Sequence, residues 1–130
     1  MTDLRIAPSE HAIQSDVRLV LGLDPDVVLW RNNVGSLERP DGGRVRYGLC
    51  VGSSDLIGMV RTSFAGFTIS RFLALEVKRP CQRASRDQLL FLRLVQARGG
   101  VAAVVTSPTQ AVAVVAQAKA DPTYCGGDLS

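Results

Sequence analysis

The stretch FLALEVKRPCQRASRDQLLFLRLVQARGGVAAVVT, residues 72–106, decides the fold. Its first part, Phe72 to Lys78, is an apolar run that predicts a strand. Ser85 is a helix N-cap residue, and the helix it starts is predicted to run to about Arg98. The apolar run from 101 to 106 then predicts a buried strand. A strand, a helix and a strand in this order favour two parallel strands joined by a right-handed crossover.

Outside this stretch, local patterns predict the remaining elements. They are a helix over 9–21 that begins at Ser9, strands at 27–30, 44–51 and 56–60, and a last helix over 108–119. The turn residues of 40–43 predict a hairpin tip or a flexible connection. We therefore expect an α/β fold with a central mixed β-sheet flanked by helices. Residues 1–130 would form one domain, with a core over about 9–119 and a flexible tail at 120–130.

The composition limits the class of protein. A chain of 130 residues can bury a substantial core, and its net charge is +3. Thirteen of its fifteen basic residues are Arg, whose planar guanidinium suits phosphate oxygens, so an acidic polymer is a reasonable partner. There is no apolar run of membrane-spanning length and no signal sequence, so we expect no membrane association.

Asp55 and the segment Glu76-Val77-Lys78 are the main candidates for chemistry. Side chains two apart on a strand share a face, so Glu76 and Lys78 would project together from a largely buried strand. A divalent cation such as Mg²⁺ or Mn²⁺ between the two carboxylates would offset their desolvation, and Lys78 could handle an anion. This pattern predicts a site that cuts phosphodiesters. The alternatives are a turn aspartate at 55, an edge-strand charge at 76 and a simple ion pair for Lys78.

Two further candidates lie on the predicted helices. Glu10 stands in the first turn of the first helix, where an acid is favourable for the helix dipole alone. Gln88 completes an S-x-x-Q capping box with Ser85, which would also explain it without any function. Both residues therefore have a structural and a functional interpretation.

Basic and amide side chains could contact a nucleic-acid backbone. The candidates for DNA binding are Arg31, Asn32, Asn33, Arg79, Arg83 and Arg86. They could equally be loop residues and a solvated charged face. Because only 5% of the residues are aromatic, base stacking is not the expected binding mode.

Taken together, these residues resemble the PD-(D/E)XK nuclease superfamily, and more specifically its virus-type replication-repair nuclease (VRR-NUC) branch. The similarity rests on Glu10 in the first helix and on the segments RNNVG (31–35), SDLIG (54–58), EVKRP (76–80), QLLFL (88–92) and GG (99–100). These pieces occur in order across roughly residues 9–107.

The resemblance implies a restriction-endonuclease-like core and a metal-dependent endonuclease. Asp55, Glu76, Glu10 and the backbone carbonyl of Val77 would bind Mg²⁺ or Mn²⁺, and Lys78 and Gln88 would complete the catalytic set. The substrate implied is branched DNA, of Holliday-junction or flap type, in phage-type replication or repair. The enzyme would act as a homodimer in the bacterial cytoplasm, as a phage or a bacterial protein. The alternatives are a sequence-specific restriction-type endonuclease and a catalytically inactive DNA-binding module on the same fold.

Overall fold

Three helices and six strands follow one another in the computed structural model, which describes residues 7–129. In chain order they are α1 (Glu10–Leu21), β1 (Val27–Arg31), β2 (Gly35–Glu38), β3 (Arg44–Tyr47), β4 (Leu56–Phe64), β5 (Phe67–Val77), α2 (Arg86–Ala97), β6 (Val101–Val105) and α3 (Pro108–Ala120). Residues 1–6 and Ser130, which the predicted domain and tail include, lie outside the described residues.

A serine N-cap starts each of the three helices. The hydroxyl of Ser9 accepts from the Ala12 N–H, and Ser107 accepts from the N–H of Gln110. Ser85 and Gln88 form a full capping box at the start of α2. The three predicted helices are thus confirmed to within a residue or two. Within residues 7–129, no helix has both the length and the apolar character needed to cross a membrane.

The central sheet has four strands in the order β1-β4-β5-β6. β4 pairs antiparallel with β1 and with β5. β5 and β6, which precede and follow α2 in the chain, pair in parallel. The predicted α/β fold with a central mixed sheet is therefore confirmed, as is the parallel strand pair within residues 72–106.

The predicted strand over 44–51 is wrong in its extent. It ends at Tyr47, and it pairs with β2 in a separate two-stranded hairpin rather than in the central sheet. Gly48 has φ +94°, so the chain turns there, and the Leu49 N–H donates to the side chain of Asn32 instead of to a strand. The 40–43 turn is the tip of this hairpin, as expected.

Helices cover both faces of the sheet. α1 and α3 pack together on one face, over the apolar side chains of alternate strand positions such as Leu73, Leu75 and Val77. α2 packs on the other face, where Leu92 and Val95 meet the intervening small residues of β5 and β6. The alternation of side chains along β5 directs position 76 to the α2 face.

The segment after α3, for which a flexible tail is predicted, makes contacts with the central sheet. The Ala102 N–H, on the outer edge of β6, donates to the Cys125 carbonyl, and Leu129 is buried against α2. Arg71, only 6% exposed, donates to the carbonyl oxygens of Asp121 and Tyr124. These contacts hold the segment against the sheet and cover an edge strand that would otherwise be exposed.

Candidate active site

Asp55 and Glu76 meet where the β4–β5 ladder ends. Leu56 and Leu75 are the first pair of this ladder, so Asp55 and Glu76 face each other one position beyond it. The Val77 N–H donates to Oδ2 of Asp55 at 2.9 Å, and the Asp55 N–H donates to Oε2 of Glu76 at 3.2 Å. Each acid thus accepts from the backbone of the opposite strand, which fixes the two carboxylates side by side.

Glu76 is the most deeply buried charged residue of the site, with only 1% of its surface exposed. Its Oε1 accepts from Nε2 of Gln88 at 2.7 Å and lies 3.7 Å from Nζ of Lys78. Burial and then the neighbouring Asp55 carboxylate raise the pKa of Glu76 to about 8, although Lys78 opposes this shift. In the metal-free protein, ionising both acids is therefore unfavourable, and Glu76 keeps its proton up to a higher pH than an exposed glutamate does.

Gln88 makes the capping-box contacts and also contacts Glu76. Its Oε1 accepts from the Ser85 N–H at 2.8 Å in the capping box. Its Nε2 turns the other way and donates to Glu76. The capping box consequently holds the Gln88 amide in the orientation that reaches the buried carboxylate.

Lys78 links Glu76 to Glu10. Its Nζ lies 3.7 Å from Oε1 of Glu76 and 4.0 Å from Oε1 of Glu10, and its side chain is 15% exposed. The ion-pair interpretation of Lys78 therefore holds, and the same ammonium stands at the mouth of the site. Glu10 contacts Lys78 and not the two acids. Among residues 7–129, no group of three or more His, Cys, Asp and Glu side chains is arranged to hold a metal ion.

Asp55, Glu76 and Val77 nevertheless offer the kind of donors that a hard divalent cation prefers. All are oxygen ligands, which suit Mg²⁺ and Mn²⁺. The Val77 N–H points to Asp55, and in a strand the N–H and C=O of a residue face the same neighbour, so its carbonyl is directed to this side too. The raised pKa of Glu76 indicates uncompensated negative charge that a cation would offset. By donor chemistry and charge, these residues fit the metal that the resemblance implies.

The loop before Asp55 is held from two sides. Gly52 has φ +80°, and a Cβ at this position would lie 2.6 Å from the carbonyl oxygen of Asp87 in α2. Asn32 donates from Nδ2 to Ser53 Oγ at 2.8 Å and to the Ser54 carbonyl at 2.9 Å. The Asn32 N–H also donates to the Asp55 carbonyl at 2.7 Å. Asn32 therefore has a structural role in addition to its predicted contact with DNA.

A polar cleft opens beside Asp55. It has a volume of about 480 Å³ and is lined by Gln14, Arg31, Asn32, Asn33, Val34, Tyr47 and Asp55. Three of these residues, Gln14, Val34 and Tyr47, were not among the candidate site residues, although Val34 lies in the RNNVG segment. Gln14 could have been found because it lies one turn after Glu10 on the same helix face. Tyr47 could not, because its place depends on where the β2–β3 hairpin lies relative to α1 and Asp55, which no local pattern indicates.

The three predicted DNA-binding arginines between β5 and the start of α2 lie away from this cleft. Arg79, Arg83 and Arg86 are exposed, and none of them lines the cleft that contains Asp55. Arg83 lines a different cleft, together with Leu89 and Leu129. Arg31 and Asn33 therefore line the cleft that contains Asp55, whereas these three arginines do not.

Comparison with known proteins adds no relative. No family model matches the chain, and no curated protein matches its sequence. The case for a function therefore depends on the geometry and chemistry of the residues described above.

Proposed function

We propose that this protein is a metal-dependent DNA endonuclease that hydrolyses phosphodiester bonds. Its core would be of the restriction-endonuclease-like PD-(D/E)XK type, in the VRR-NUC branch. One observation carries the proposal: the buried Glu76 carboxylate lies beside Asp55, with the Lys78 ammonium 3.7 Å away. Two acids and a base in this arrangement suit a phosphate diester and a cation that neutralises it.

The cation would be Mg²⁺ or Mn²⁺, held by Asp55, Glu76 and the Val77 carbonyl. When bound, it supplies Lewis acidity and lowers the pKa of water. Lys78 donates hydrogen bonds to a phosphate oxygen and stabilises the negative charge that develops there. Gln88 keeps the Glu76 carboxylate in place, and Glu10 steadies the Lys78 ammonium from the other side.

The proposed substrate is branched DNA. Arg31 and Asn33, in the cleft beside Asp55, would contact the phosphate backbone rather than read a sequence. A homodimer would present two such sites related by a two-fold axis, as two symmetric nicks in a junction require.

A catalytically inactive DNA-binding module is the second candidate. It is favoured by the contacts of Glu76, whose two oxygens both accept hydrogen bonds within the protein. It is also favoured by the position of Glu10, which pairs with Lys78 instead of joining the two acids.

Cleavage of linear, flap and four-way DNA, with Mg²⁺, Mn²⁺ or a chelator, tests the proposal. We expect nicking of flap or four-way DNA with either metal and no product with the chelator. Discrete fragments from linear duplex would instead indicate a sequence-specific restriction-type enzyme. Binding that persists in the chelator, with no cleavage in either metal, would support the inactive module and contradict the nuclease.

A further inference from the structure

Most residues that line the cleft beside Asp55 have no role in the proposed hydrolysis. We call it the Tyr47 cleft, defined by Gln14, Arg31, Asn32, Asn33, Val34, Tyr47 and Asp55. Among residues 7–129, Asp55 is the one acid that lines it, and it belongs to the site above. The remaining polar side chains therefore border the position of a phosphate bound at Asp55.

These side chains differ in what they can offer to a ligand. The Asn32 amide is engaged within the protein, because it donates to Ser53 and Ser54 and accepts from Leu49. Asn33 and Gln14 bring two more amides, each with a donor and an acceptor. Arg31 is exposed and is the one positively charged residue among the described residues of the cleft.

Tyr47 brings a flat aromatic surface. It stands opposite Gly35 in the hairpin, and its ring fills the space that a Gly35 side chain would occupy. The absence of a side chain at Gly35 thus lets the ring lie along the hairpin. Tyr47 is 44% exposed and is one of the residues that line the cleft.

An aromatic ring, two amides and one guanidinium match the parts of a nucleotide. The ring suits a base face, amides suit the hydrogen-bonding edge of a base or a sugar hydroxyl, and guanidinium suits phosphate. The volume of about 480 Å³ falls within the range of about 300–1,000 Å³ that small-molecule sites occupy. One nucleotide is therefore the ligand that fits this cleft in both size and chemistry.

We propose that the Tyr47 cleft binds one unpaired nucleotide of DNA next to the scissile phosphate, an inference that rests on the proposed nuclease function. Contrary to the expectation from the low aromatic content, Tyr47 stacks on the base. Gln14 bonds to the edge of the base, and Asn33 and Arg31 contact its sugar and phosphate. A base within intact duplex has its faces covered by its neighbours and its edge by its partner. It reaches such a cleft only after leaving the stack. Selectivity for branched or frayed DNA would then originate in this cleft.

Binding of labelled single-stranded and duplex oligonucleotides of one sequence, followed by fluorescence anisotropy in a chelator, tests this assignment. Tyr47→Leu removes the ring, Tyr47→Phe keeps it, and Phe67→Leu removes a 72% exposed ring at the distant β4–β5 turn as the matched control. We expect Tyr47→Leu to weaken single-strand binding about tenfold, as the loss of base stacking does. Duplex binding should stay unchanged, and Tyr47→Phe and Phe67→Leu should bind like the parent.

Equal binding by Tyr47→Leu and the parent, or an equal loss for single strand and duplex, would overturn the assignment. If Tyr47→Leu does not fold, Gln14→Ala and Asn33→Ala replace it in the assay. If both of these variants bind single strands as tightly as the parent does, the assignment is overturned. Because the assay contains a chelator, its result is independent of cleavage. A protein that binds single strands through Tyr47 but never cuts DNA would contradict the nuclease alone. If the parent cuts DNA, and Tyr47→Leu binds and cuts DNA like the parent, only the assignment of the Tyr47 cleft as a nucleotide site would be contradicted.

Discussion

Glu76 is the residue on which the site depends, because its carboxylate is buried beside a second acid. Asp55, Gln88 and Lys78 all contact it, and each of these contacts influences its charge. Burial and the Asp55 carboxylate together hold its pKa near 8, far above the ordinary value of 4.5. A buried acid in this state makes the stability of the metal-free protein depend on pH.

The unfolding free energy of the chelator-treated protein should fall as the pH rises from about 5 to about 8. In that range the folded protein retains a proton on Glu76 that the unfolded chain has released. The stabilisation by this proton is fully present below the pKa that Glu76 has in the unfolded chain. It is lost as the pH rises through the pKa that Glu76 has in the folded protein. Across this range, the free energy of unfolding measured in urea should fall by about 3 kcal/mol more for the parent than for Glu76→Gln.

Glu38→Gln, an exposed change on β2, is the control for this comparison. It should keep the parental slope. If Glu76→Gln also kept that slope, the raised pKa of Glu76 would be contradicted.

At the scale of elements, the site is made by the end of the β4–β5 ladder and by the start of α2. The 52–55 loop contacts α2 at Gly52, where the carbonyl of Asp87 leaves no room for a side chain. The same helix start carries Gln88, which reaches Glu76. The spacing between this loop and α2 therefore determines how Asp55, Glu76 and Gln88 meet.

Gly52→Ala should destabilise the protein more than Gly42→Ala does. Both glycines have positive φ, +80° and +87°, but a Cβ at Gly42 has no atom within 4 Å. Gly42→Ala then measures the backbone strain alone, about 1–2 kcal/mol, and Gly52→Ala adds the collision with α2. Thermal unfolding of the two variants gives the difference, and equal losses would show that the loop does not pack on α2 as described.

Elements with local signals were predictable, whereas those that depend on distant contacts were not. Ser9, Ser85 and Ser107 start their helices through bonds to residues three positions ahead, so the sequence alone indicated them. Strands β4 and β5 extend well beyond the predicted 56–60 and 72–78, because polar residues near their shared turn hide the strand pattern.

The same distinction applies to the site. Asp55, Glu76, Lys78 and Gln88 were found from motif spacing, and the structure brings them into contact. The structural role of Asn32 and the cleft position of Tyr47 arise from contacts between segments far apart in sequence, for which there is no local signal.

At the scale of the whole molecule, Arg71 joins parts of the chain that are distant in sequence. Its guanidinium donates to the Gly99 carbonyl at the end of α2 and to the Asp121 and Tyr124 carbonyls after α3. The segment it holds covers the outer edge of β6 through Cys125. One buried side chain thus couples the α2 face of the sheet to the last residues of the described chain.

Arg71→Met should lower the unfolding free energy by about 1–3 kcal/mol, since three carbonyl groups lose a charged donor. The Ala102 amide, which donates to Cys125, should also exchange its hydrogen faster. Arg93→Met, an exposed change on α2, is the control. Parental stability and slow exchange at Ala102 in Arg71→Met would rule out this role of Arg71.

The rate of Mn²⁺-dependent cleavage of four-way DNA by Asp55→Asn tests the central claim most directly. Asn keeps an oxygen that can accept from the Val77 N–H, so the fold is expected to persist while the charge is lost. Asp16→Asn, an exposed change on α1, is the matched control. We predict that Asp55→Asn cuts about 100-fold more slowly or worse, and that Asp16→Asn cuts like the parent. Equal rates for Asp55→Asn and the parent would contradict a nuclease site built on Asp55 and Glu76.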